Sequence, residues 1–84
     1  MKRRELRVVE GTKRFPFAIG PLVEALQAAG VPTDDAMRIA VDVERHYRHR
    51  GDRTIAIDDL MGRLVRLAAA EAGVEAAQAL ERQT

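Results

Sequence analysis

The spacing of its breaking residues constrains this chain more than any other feature. Gly11, Gly20-Pro21, Gly30, Pro32, Gly51 and Gly73 cut the sequence into short segments. None of these segments approaches the ~20 apolar residues of a membrane span. Each must therefore find its partners inside a small globular unit. With 84 residues there is room for one domain, residues 1–84, and one modest core.

The segments differ in period. Leu6-Arg7-Val8-Val9-Glu10 is rich in β-branched residues and ends at Gly11-Thr12, after which Lys13-Arg14-Phe15-Pro16-Phe17 runs back. Gly11 tolerates the positive φ of a tight reversal, so this reads as a β-hairpin. Pro16 lacks an N–H, so its strand must lie at an edge or end there. A lone hairpin is marginal and needs a surface to rest on.

The later segments are helical. Gly20-Pro21 opens a helix with Leu22, Ala25, Leu26 and Ala29 on one face, and Gly30 is its left-handed stop. Thr33 reads as an N-cap with Asp34 and Asp35 in the first turn, followed by the stripe Ala36, Ala40, Val43 and Tyr47. Gly51 ends that helix, and Thr54-Ile55-Ala56 is a brief extended piece able to join the hairpin. Asp58 reads as the cap of a third helix with Leu60, Met61, Leu64, Val65, Leu67 and Ala68 as its apolar set. Gly62 inside this helix suggests a close backbone approach. After Gly73 a short helix runs from Val74 to Arg82. The expected fold is α+β and mostly α, a four-helix bundle covered by the N-terminal hairpin, with a third strand near residues 54–56.

Composition removes several functions. The chain has no cysteine, which excludes disulfides and thiolate chemistry. Net charge is +1, from 14 basic and 13 acidic residues, too balanced for general coating of nucleic acid. Basic residues crowd the start, at Lys2, Arg3, Arg4, Arg7, Lys13 and Arg14. That start lacks the apolar run of a signal peptide, so a cytoplasmic protein without a membrane anchor is expected.

His46 and His49 have a helical i, i+3 spacing, but Arg45, Arg48 and Arg50 surround them and would repel a metal cation. Asp34-Asp35 and Asp58-Asp59 are explained by helix starts without catalysis. There is no glycine-rich phosphate loop, nucleophile elbow or Cys-His pair. No enzyme is expected.

The order and spacing of these segments resemble the ATP-cone. The resemblance rests on a basic hairpin with an acid-Gly turn, a Pro-Phe step, a helix ending at Ala29-Gly30, a Thr-started helix ending at Arg50-Gly51, and an acid-started third helix. It spans about Arg7 to Arg82. The stretch Arg14-Phe15-Pro16-Phe17-Ala18-Ile19-Gly20-Pro21-Leu22 is similar to the N-terminal cone-like region of archaeal-type 2-phosphoglycerate kinases.

The resemblance implies a non-catalytic regulatory module, standing alone or fused to another protein. It would bind ATP or dATP as an effector between the hairpin and the start of the first helix, with no cofactor required. The family's first strand reads apolar-x-Lys-Arg-Asp-Gly, and its two basic residues reach phosphates. Val8, Val9, Glu10 and Gly11 stand there in this chain. The remaining candidate phosphate contacts are Arg7, Lys13 and Arg14. Strand alternation lets only one of Lys13 and Arg14 join Arg7 at one site. The same departures carry an alternative: a degenerate cone serving as an interaction or dimerisation domain. Gly62, the run Ala68-Ala69-Ala70 and the short last helix make a homodimer through the C-terminal helices the expected assembly.

Overall fold

A computed structural model describes residues 5–83. Strands β1 (Arg7–Glu10) and β2 (Lys13–Pro16) form the hairpin. Helices α1 (Ile19–Ala28) and α2 (Thr33–Arg50) follow, then strand β3 (Thr54–Ala56), α3 (Ile57–Ala72) and α4 (Val74–Glu81). This is the α+β arrangement expected, four helices with a small sheet at the N-terminal side.

The sheet order is β2-β1-β3. β1 and β2 are antiparallel, pairing Val8 with Phe15 and Glu10 with Lys13. β1 and β3 are parallel, pairing Val8 with Ile55. Pro16 closes an edge strand, where its missing donor costs no ladder bond. The sheet is sealed at its start by Arg7 N–H donating to Arg53 O at 3.0 Å and Phe17 N–H donating to Leu6 O at 2.8 Å.

One core joins every element except β2, whose four residues are all exposed. Leu6 and Val8 from the first strand segment and Ile55 from β3 face the helices. Leu26, Ile39, Val43, Tyr47, Leu64 and Leu80 are its largest fully buried side chains. Each such aliphatic side chain contributes roughly 1.5–3 kcal/mol through burial. α1 packs on α2 and α4, and α3 packs on α2 and α4. Ala68, Ala76 and Ala77 are buried in the core, so part of the alanine-rich C-terminal surface is consumed within the chain.

Three local expectations change. α2 starts at Thr33 itself, with Pro32 as N-cap and Ala36 N–H donating to Pro32 O at 2.8 Å. Thr33 Oγ1 instead accepts from Gln27 Nε2 at 2.9 Å, tying the α1–α2 connection. α3 begins one residue before Asp58, because β3 runs directly into the helix through Ala56. Asp58 and Asp59 therefore lie in the first turn, where the dipole still favours them, and no side chain caps the helix. Gly62 marks no close backbone approach: a Cβ there would meet only the Arg66 Nη1 atom at 3.6 Å, an ordinary contact.

Candidate binding cleft under the hairpin

The register decides where the basic residues point. Val8 is buried against the helices, so residues sharing its face on the neighbouring strands look the same way. Phe15 and Lys13 belong to this inner face, as does Glu10. Arg7 and Arg14 belong to the opposite, outer face, where they are diagonal neighbours. Arg7 is held there by Glu5 at 3.3 Å, a half-exposed pair worth little in stability. The three candidate phosphate contacts are thus divided. Arg7 and Arg14 share the outer face, and Lys13 alone is on the side of the helices, opposite Glu10.

Between hairpin and helices lies an open cleft of about 390 Å³. Val8, Phe15 and Phe17 line it from the hairpin side and Leu22 from α1. Ile57, Met61 and Leu64 complete it from the start of α3. No charged side chain lines it among the described residues. Phe15 leaves 43% of its surface in solvent, because β2 overhangs the helices instead of lying flat upon them.

Ile57 and Met61 also belong to a second hollow, of about 580 Å³, bounded by Glu10, Asp58 and Gln83. The cleft therefore opens toward an acidic shoulder. Its chemistry suits an apolar group far better than a polyphosphate, which draws its affinity from charge-assisted donors.

The sequence hid this cleft for a physical reason. The apolar set of α3 is wider than one stripe: Leu60, Leu64 and Ala68 are buried, whereas Met61 and Val65, one position on, are half-buried. A second apolar face on an otherwise amphipathic helix is the signal that would have found it.

A polar cluster lies elsewhere, where α2 meets α3. The Tyr47 hydroxyl donates to Asp59 Oδ2 at 2.5 Å, and the Arg63 guanidinium stands 5.7 Å from the Tyr47 ring centre. His46 meets that ring edge-on at 5.1 Å. Burial, then the Asp59 contact, pushes the Tyr47 phenol above its ordinary range. The hydrogen bond from Tyr47, aided by Arg63, holds Asp59 below the usual carboxylate value. Burial, then Arg63 and Arg50, lowers His46. Each shift favours the form this packing needs: neutral phenol, charged carboxylate, neutral imidazole. The cluster is a clamp between helices. No group of three metal-ligating side chains exists among the described residues, and His49 stays exposed apart from His46. No helix among them is long and apolar enough to cross a membrane.

Compared with known protein families, with curated proteins and with solved structures, the chain matches none.

Proposed function

We propose that the chain is a non-catalytic, cone-like interaction module that works through the apolar cleft beneath its hairpin. The observation that carries this is the division of charge from cavity. The cleft lies between the hairpin and α1, where the ATP-cone resemblance implies a ligand, yet its lining is apolar and Arg7 and Arg14 are on the other side of the sheet. An accessible apolar cavity of this size is the usual form of a docking site.

The test uses an uncharged polarity-sensitive dye such as Nile red, with Met61→Glu as the cleft-blocking variant. Enhanced fluorescence that disappears in Met61→Glu, at unchanged helical content, supports the reading. Equal dye response in both proteins would falsify it.

A second reading, a sensor of ATP or dATP, is favoured by one observation: Lys13 is on the cleft side of the hairpin, two residues from Phe15. Here the adenine ring would fill the cleft and Lys13 would meet a phosphate. Calorimetric titration with ATP, dATP and adenosine separates the two. Saturable heat with either nucleotide favours the sensor, and none at millimolar concentration removes it.

A further inference from the structure

The apolar cleft and the acidic shoulder are one continuous surface, joined through Ile57 and Met61. Glu10 stands at the hairpin tip and Asp58 in the first turn of α3, both exposed. Neither forms an ion pair within the described residues. Lys13 faces Glu10 in register without closing to salt-bridge distance. On the far side of Met61 a further hollow carries Arg66 and Glu81, one charge of each sign. At the open end of the cleft the described residues therefore set two carboxylates, Glu10 and Asp58, against the single ammonium of Lys13.

We infer that this surface docks a cationic amphipathic segment of a partner protein, with apolar side chains seated beneath the hairpin and lysine or arginine meeting Glu10 and Asp58. The inference rests on the interaction-module reading above and names the partner's chemistry. Four alternatives fit less well. A nucleotide or an anionic lipid surface brings negative charge toward the carboxylates of Glu10 and Asp58, and an uncharged apolar ligand leaves them unused. A small cation has no need of the neighbouring 390 Å³ of apolar space. A segment carrying both properties uses both hollows, and charge complementarity of this kind sets partner choice and encounter rate more than raw affinity.

The experiment measures fluorescence anisotropy with two labelled synthetic peptides on the whole chain. One carries an apolar leucine face flanked by lysines; the other replaces every lysine with glutamate. Binding at least tenfold tighter for the lysine peptide is expected, weakening as salt rises. Glu10→Lys with Asp58→Lys should invert the preference. Asp34→Lys with Asp42→Lys, remote acids on α2, should leave it unchanged and so exclude general attraction to acidic surface.

Equal binding of both peptides overturns the inference, and so does a preference that survives the Glu10/Asp58 exchange. If neither peptide binds while the dye still enters the cleft, the partner chemistry is wrong and the interaction-module reading stands. If neither the dye nor a peptide enters, both fall. Sedimentation of the chain alone gives the remaining outcome. A dimer abolished by Met61→Glu, with no peptide binding, makes a second copy the occupant and overturns the inference.

Discussion

The hydroxyl of Tyr47, near the end of α2, donates to the carboxylate of Asp59 in the first turn of α3 at 2.5 Å. The two residues are 12 positions apart, and the contact spans the turn and β3 strand that separate the helices. It fixes the start of α3 and, with it, the placement of Ile57 and Met61 along the cleft.

Replacing Tyr47 by Phe keeps the ring in the core and removes the hydrogen bond. The expected loss is about 1 kcal/mol, read as a lower urea midpoint with unchanged slope. Tyr47 is the chain's single tyrosine and there is no tryptophan, so its tyrosinate absorbance can be followed alone. That titration should lie above pH 10.0 in the folded protein. A phenol titrating at or below that value would contradict the burial of Tyr47 and its bond to Asp59.

Acid should weaken the clamp in two steps. His46 is depressed, so its stabilising effect is full above its ordinary 6.5 and is lost as pH falls through the lower folded value. Asp59 is depressed as well, so its share is full above 3.8 and is lost further down. Stability measured by urea unfolding should therefore decline first below about pH 6.5. His46→Gln should flatten that first decline, and Asp59→Asn the second.

Gly62→Ala should stabilise the chain by up to ~1 kcal/mol, since the helix interior gains a better helix former and the added Cβ meets only the flexible end of Arg66 at 3.6 Å. Gly51→Ala should do the reverse. Gly51 holds φ 77° and ψ 19° at the end of α2, a left-handed conformation that costs an alanine roughly 1–2 kcal/mol. Thermal unfolding of the two variants should move in opposite directions.

Leu64 and Met61 are three positions apart on α3 yet serve different ends. Leu64→Ala should cost ~2–5 kcal/mol, because the side chain is fully buried. Met61→Ala, at a half-buried cleft position, should cost well under that and instead reduce dye uptake by the cleft. Equal destabilisation by both would mean that the cleft is closed in solution.

The helices were readable because glycine punctuation agreed with helical periodicity at the ends of α1, α2 and α3, at Gly30, Gly51 and Gly73. The hairpin was readable from Gly11 and the edge position of Pro16. The division of Arg7 and Arg14 from Lys13 was only half legible. Alternation guaranteed that Lys13 and Arg14 would separate, but Val8 and Val9 are both apolar, so the sequence alone did not say which face of β1 is covered. The buried Leu6 and Val8 settle it. The cleft was harder to see, because Met61 has the same chemistry as the core residues Leu60 and Leu64 beside it on α3. The overhang of β2 leaves the Met61 side of α3 accessible.

The parallel pairing of β1 with β3 has a kinetic consequence. Arg7 meets Thr54 only after all of α1 and α2 has been laid down between them. A helical bundle of this length closes mostly local contacts and folds fast, but this chain must also close a loop of more than half its own length to complete its sheet. The central strand is the most N-terminal one, so during synthesis it waits for a neighbour made much later. Trimming the chain up to Gly11 would strip Ile55 of its strand neighbour and β2 of the strand it pairs with.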